Sequence, residues 1–475
     1  MAERPNESTK TPVRNRRKRR SKLQVFKETY LPVLIGTLAV ILVIVFVTNS
    51  VSRSNAKKKA EKEASLKASE SLAEQARLEA EEAEYILQQA EYLAAGYDFE
   101  AAVAVIDTFS GNFADFPELA DKRIEYKNTM ENMVAWKDPA QVPNLSFHLL
   151  IADPERAFAD ADYGNAYRNN FITVTEFSNI LQQLYDNGYV LVSLHDLVSV
   201  TIAANGSTIY EAKTLYLPSD KKPLILTETG VNYYTYMVDG NGDHWADKDG
   251  AGFACRLVLD ASGNFVNEMV ATDGSTVSGA YDMVPILEAF IAEHPDFSLR
   301  GARAILGLTG YDGLFGYRTN PSAEDKQGQD AYIQARKDAA EMATALRETG
   351  YSIACYTYDN ISYGENSVTQ IRSDQKRWAE EVTPILGLVD ILVFAQNSDI
   401  GDRDPYDSDK FQLLQNLGYR YYIGSNTNGE IWASIEDGYF RQSRIMVTGS
   451  ALVNNPDLFA AFFDAAAVLD PARNS

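Results

Sequence analysis

Over some 330 residues, from residue 142 to the C-terminus, helical and extended patterns alternate, and this alternation is what most restricts the fold. Residues 177–189 are amphipathic with Phe177, Ile180, Leu181, Leu184 and Tyr185 on one face and stop at Gly188. Residues 189–192 read as a strand, 195–200 as a short helix and 223–226 as a buried strand. Helical and extended segments then follow one another at 283–293, 304–308, 331–349, 351–356, 373–386, 391–394, 411–417 and 419–423. Between them, residues 255–259 and 265–269 alternate around a turn at 261–264 and predict a two-stranded ribbon. Strands separated by helices require crossover connections, which implies parallel strands in an α/β barrel or a doubly wound sheet.

What precedes this body is of a different character. Residues 1–30 hold ten Lys or Arg against three Glu, about plus 7, whereas the whole chain of 475 residues carries −22. The basic cluster Arg14, Arg16, Arg17, Lys18, Arg19, Arg20 and Lys22 leads into residues 31–48, LPVLIGTLAVILVIVFVT, which carry no charge. Eighteen helical residues rise roughly 27 Å, enough for the hydrocarbon core of a bilayer. The run is longer than the apolar region of a cleaved signal peptide and no small-x-small site follows it, so an uncleaved single-pass anchor is expected. Positive charge stays on the cytoplasmic side, so the tail, residues 1–30, would be cytoplasmic and the body extracytoplasmic. The acidic body excludes nucleic acid as a partner.

Residues 52–84 are rich in Ala, Glu and Lys without Pro or Gly, as in a solvated helical stalk, and Leu66, Leu72 and Leu78 fall six apart rather than on a heptad. Residues 85–138 predict a helical hairpin subdomain: AEYLAAGYDFEAAVAVI is similar to one tetratricopeptide-type hairpin, with Asp98 as a helix cap and Pro117 in the first turn of the next helix. A single such repeat cannot bury a solenoid core, so a subdomain docked on its neighbour is expected. Cys255 and Cys355 match no metal spacing and read as two separate core thiols, with nothing in the sequence to bring their Cα atoms together.

The stretch around which the body is organised is residues 224–236, LILTETGVNYYTY, an apolar strand ending in a sharp turn. In α/β folds chemistry sits at such carboxyl ends. Together with VPNLSFH, GYVLVSLHDL and EHPDFSLRGARAILGLTGYDGLFGYRT, it resembles the NodB-type polysaccharide deacetylases of carbohydrate esterase family 4, in particular a membrane-anchored bacterial subgroup. The resemblance covers residues 142–451 and implies a distorted (β/α) barrel for the domain 142–475, acting on N-acetylated envelope glycan. It also implies a divalent metal held by one Asp and two His, with a second Asp as base. The metal would polarise the amide carbonyl and acidify a bound water.

On this chain the two Asp positions fall at Thr229 and Gly230, flanked by Glu228 and by the matching Val231, Asn232, Tyr233 and Tyr234. The two His positions fall at Tyr356 and Asn360. None of these four is a usual zinc ligand. The third motif, a Pro-Phe-Gly turn in the family, is altered to Phe394-Ala395-Gln396-Asn397, whereas Asp374 and Trp378 match. The resemblance thus implies a catalytically inactive protein without a cofactor that binds envelope glycan or a protein partner, with Tyr233, Tyr234, Arg318, Tyr358, Asp374 and Trp378 as candidate substrate-binding residues. The alternative is a hydrolase whose site has moved to Glu228, Asp312 and Asp359, with zinc or another divalent metal. The four histidines, His148, His195, His244 and His294, are too scattered for a metal triad; His148, at the end of the first strand, could line the pocket but reads rather as a hydrogen-bonded structural residue. Asp239, Asn241, Asp243, Asp247 and Asp249 read as a solvated acidic loop, because His244 replaces the Gly of a calcium loop and no Glu stands twelfth.

Overall fold

The computed structural model describes residues 31–474 apart from 205–207, 404 and 427. The chain divides into two units, Met1–Glu82 and Ala83–Ser475. The described part of the first is helical and belongs to α1 (Leu31–Ala95), which is long and apolar enough near its start to cross a membrane. Its only two hydroxyls in the apolar run, Thr37 and Thr48, donate to Val33 and Ile44 carbonyls at 2.9 Å, so they are satisfied without water. Further along, Lys57–Glu61, Lys59–Glu63 and Arg77–Glu81 pair at i,i+4 on an exposed surface. The basic tail lies outside the described residues.

In the second unit the last turns of α1 pack with α2 (Phe99–Ile106) and α3 (Pro117–Glu131). Ala90, Ala102 and Ile106 are fully buried at the centre of a small separate core, where alanines let helix backbones approach. The Asp98 side chain accepts from the Ala101 amide, the expected cap.

The body is built on eight parallel strands: β1 (Asn144–His148), β2 (Tyr189–Leu191), β3 (Lys222–Thr229), β4 (Ile305–Leu308), β5 (Ser352–Cys355), β6 (Ile391–Val393), β7 (Tyr421–Asn426) and β8 (Tyr439–Met446). Seven of them close on themselves in the order β3-β4-β5-β6-β7-β8-β1, with β1 returning to β3, and β2 joins the first residues of β3. Of the two α/β architectures, the barrel is the one formed. Crossover helices α4 (Val174–Asp186), α5 (Met283–Glu293), α6 (Gln329–Thr349), α7 (Val368–Arg377) and α8 (Asp409–Asn416) cover its outside. Both faces of the wall are therefore buried, which explains why β3 reads as a nearly continuous apolar run. Ile225, Ile305, Ile391, Ile423 and Phe440 pack inside, and Leu224 and Leu226 face the helices. One polar chain crosses the interior: Thr227 donates to Asn144 at 2.8 Å, Asn144 to Gln442 at 3.2 Å and Gln442 to the Val142 carbonyl at 2.9 Å.

Three expectations change. Residues 195–200 are not one helix: a single 3-10 turn, Leu194–Asp196, runs into the strand Val198–Ile202, which pairs antiparallel with Thr208–Ala212. The β-branched residues of VSVTI favour this pairing once a partner strand is close. The ribbon at 255–270 gains a third strand, Thr276–Gly279. The last barrel strand, β8, and its antiparallel neighbour Ala433–Glu436 carry no strand signal in the reading above, because β8 turns Gln442 and Arg444 inward. Cys255 and Cys355 are unpaired.

Candidate functional site

A cavity of about 540 Å³ opens at the carboxyl ends of the barrel strands. The four altered motif positions converge on it: Thr229 and Gly230 end β3, and Tyr356 and Asn360 follow β5, all lining the same space. His148 joins them from the end of β1, Gln396 and Asn397 from the loop after β6, and Tyr163, Tyr167, Asn170 and Phe171 from the segment that follows β1. Tyr234 and Tyr236 form the remaining wall, stacked on one another at 5.7 Å, with Tyr311 behind Tyr234 at 5.1 Å.

The loops that carry these residues are held in uncommon backbone conformations. Tyr233, Thr357, Asn360, Gln396 and Asn397 all have positive φ without being glycine, and such residues persist only where their surroundings over-determine them. Those surroundings are visible. Asn232 donates to the Thr309 carbonyl at 2.7 Å and accepts from the Thr309 amide at 3.0 Å, clamping the β3 turn to the loop after β4. Buried Asp374 accepts from the amides of Tyr358 and Asp359, both at 2.8 Å, and from the Tyr363 hydroxyl at 2.5 Å. It therefore fixes the turn that presents Tyr356 and Asn360.

At the floor, the Thr229 hydroxyl donates to the Phe147 carbonyl at 3.2 Å and lies 3.0 Å from His148 Nδ1. A proton on Nδ1 satisfies that pair and leaves Nε2 as an acceptor. Burial, and secondarily the Arg444 guanidinium, push His148 down to about 4, so it is neutral at physiological pH. Gly230 has φ +82°, and a Cβ there would meet the Tyr234 ring at 3.2 Å.

The remaining candidates divide by position. Of the substrate-binding set, Tyr234 lines the cavity, while the side chains of Tyr233, Arg318, Tyr358, Asp374 and Trp378 are buried and engaged elsewhere. The Tyr233 hydroxyl accepts from Asn267 at 3.0 Å, and Arg318 donates to the carbonyls of Tyr233 at 2.8 Å and Asp312 at 2.9 Å. The Tyr358 hydroxyl bonds Glu381, and the Arg377 guanidinium stacks on its ring at 4.0 Å. These residues hold the frame.

The carboxylates of the relocated-site alternative do not come together. Glu228 points away from the cavity, into the layer between barrel wall and helices beside Asp282. Burial first, then Asp282, raise its pKa well above the carboxylate range. Neither Glu228 oxygen nor Asp282 Oδ2 has a geometric hydrogen-bond partner, and burial beside a second carboxyl favours the protonated form of Glu228. Asp312 instead accepts from the Thr235 amide and hydroxyl beside a separate hollow of about 250 Å³, and Asp359 pairs at the surface with Arg377 at 2.7 Å. Alternation explains Glu228: Thr227 and Thr229 face inward, so the residue between them faces out.

A divalent metal does not fit the donors present. A hydroxyl, a glycine, a phenol and an amide replace two carboxylates and two imidazoles. Among the described residues no group of three or more His, Cys, Asp or Glu could hold an ion. The acidic loop at 239–249 satisfies itself, with Asp239 and Asp247 accepting from the amides of Gly242 and Gly240. Of the other histidines, His195 pairs with Asp390 at 3.1 Å and His294 packs on Tyr185 at 4.3 Å. The aromatic segment 163–171 lines the cavity without any motif in the sequence to announce it, and Gln396 and Asn397 of the altered third motif line it as well. The positive-φ turn at Gln396 and Asn397 leaves a weak signal, since Asn commonly adopts such conformations.

No protein-family model matches the sequence, and no curated protein matches it. Among solved structures, the Streptococcus pyogenes deacetylase PplD, in complex with acetate, is 14% identical, over 70% of this chain and 100% of that one, with a TM-score of 0.34. A polysaccharide deacetylase from Bacillus cereus is 11% identical, over 65% of each chain, with a TM-score of 0.33. The likeness is to the fold of polysaccharide deacetylases and is a distant one.

Proposed function

We propose that this is a membrane-anchored, extracytoplasmic deacetylase-like protein that binds envelope glycan without hydrolysing it. The observation that carries this reading is the lining of the cavity. Its sixteen residues include no Asp, Glu, Lys or Arg, yet they present five tyrosines, a phenylalanine and four side-chain amides. Aromatic faces and amide donors are what sugar recognition uses, and the lining offers no carboxylate to serve as base or metal ligand. The clamps Asn232 and Asp374 hold the loops that give the pocket its shape. The anchor reading rests on α1 and on the basic cluster before it.

The test uses the full-length chain in detergent. Stoichiometric zinc is expected to be absent by elemental analysis, and no acetate is expected from N-acetylglucosamine oligomers, while those or other envelope oligosaccharides bind and protect the cavity tyrosines from modification. Acetate release that a chelator abolishes overturns the reading.

A further inference from the structure

The cavity floor holds one charge that the lining does not. Arg444 enters from β8 and is fully buried. Phe440 and Gln442 face the barrel interior, so alternation places Arg444 inside as well, nearer the carboxyl mouth. Its Nη2 donates to the Phe394 carbonyl at 3.0 Å, its Nε to the Met446 sulfur at 3.2 Å, and its Nη1 is buried without a geometric acceptor. The guanidinium lies 5.7 Å from the centre of the Tyr356 ring, a cavity wall, and close enough to His148 to help keep that imidazole neutral. Phe394, Tyr356 and His148 all sit at or just beyond the carboxyl ends of barrel strands.

Among the described residues no carboxylate pairs with Arg444: the Tyr356 hydroxyl acts on it first, and Asp399, the carboxylate that influences it, is engaged by Arg441 at 2.8 Å. A buried guanidinium stays charged, and without a counter-ion it is costly. It persists here beneath an acid-free cavity, in a protein with 66 Asp and Glu.

We propose that Arg444 makes the cavity selective for anionic glycan, and that the ligand is a sugar bearing a carboxylate. The proposal rests on the glycan-binding reading above and adds its charge. A carboxylate matches the single charge of Arg444, whereas a phosphate monoester, with nearly two, leaves one unmatched. The charge acts through Tyr356 and across the low-dielectric barrel mouth, where Coulomb attraction is stronger than in water. Asn360 and Gln396 bring side-chain amides, which carry neutral N–H donors, to the lining, and the lining itself holds no acid to repel an anion.

Calorimetric binding to the full-length chain in detergent, with galacturonate trimers against N-acetylglucosamine trimers, tests this. The acidic trimer is expected to bind about tenfold more tightly, with a preference that weakens as salt rises. Arg444→Met is expected to remove the preference. Should that variant not fold, Gln396→Glu at the exposed rim is expected to weaken the acidic trimer about tenfold more than the neutral one. Equal affinity of the wild type for both trimers, or a preference that survives in folded Arg444→Met or is untouched by Gln396→Glu, overturns the inference and leaves glycan binding standing. Binding of neither trimer overturns the glycan reading itself.

Discussion

A carboxylate at position 230 would have to be built on a left-handed residue with the Tyr234 ring against its Cβ. Gly230→Ala is accordingly expected to cost about 1–2 kcal/mol, read as a lowered Tm. Re-creating a metal site is better tried at the other three positions. Thr229→Asp, Tyr356→His and Asn360→His together are expected to bind zinc only when Arg444→Met removes the neighbouring cation, and zinc uptake with Arg444 in place would contradict its position at the floor. Two buried groups set opposite limbs of the pH dependence of stability. Glu228 has a raised folded-state pKa, so its contribution is complete below the unfolded value of about 4.3 and is lost as the pH rises through the folded one. His148 is depressed to about 4 against roughly 6.5 unfolded, so stability is lost as the pH falls across that interval. Melting curves from pH 4.5 to 9 are expected to show Glu228→Gln flattening the alkaline limb and His148→Asn the acid limb. An alkaline limb unchanged in Glu228→Gln would mean that the carboxyl is ionised in the fold.

The crossover helix α4 shows how one element is tied in by a distant one. Thr173 and Glu176 form a capping box, a signal readable in the sequence as Thr-x-x-Glu. The fold asks more of Glu176, which is fully buried and ion-paired with Arg473 near the C-terminus, with Nη2 to Oε2 at 2.7 Å. Arg473→Ala leaves that carboxylate uncompensated and is expected to destabilise the chain by about 3–5 kcal/mol in denaturant unfolding. The turn after β5 depends likewise on Asp374. Because three donors converge on its carboxylate, Asp374→Ala is expected to weaken ligand binding as well as lower the Tm. The strands β3 to β7 and helices α4 to α6 are legible because apolar runs, caps and stop signals are local. The hairpin at 198–212 and the strand β8 are not, since the first needs its partner nearby and the second turns polar residues into the barrel.

For the protein as a whole, α1 predicts how it partitions. The full chain is expected to stay with membranes through alkaline carbonate washing, and the body to be cut by protease added outside intact cells while the basic tail is protected. Loss of the tail under the same treatment would reverse the orientation. The sequence by itself determined the apolar segment, the alternating α/β order and the neutral residues at Thr229, Gly230, Tyr356 and Asn360, because each depends only on residue type and near-neighbour spacing. Only the tertiary structure decided that Glu228 faces away from the cavity, that Asp312 and Asp359 lie apart from it, and that Arg444 lies beneath it beside His148 and Tyr356. Barrel closure joins β8 to β1, pairing Ile445 with Leu145, and fixes which side of each strand looks inward. That facing is set by register between strands, which no single stretch of sequence contains.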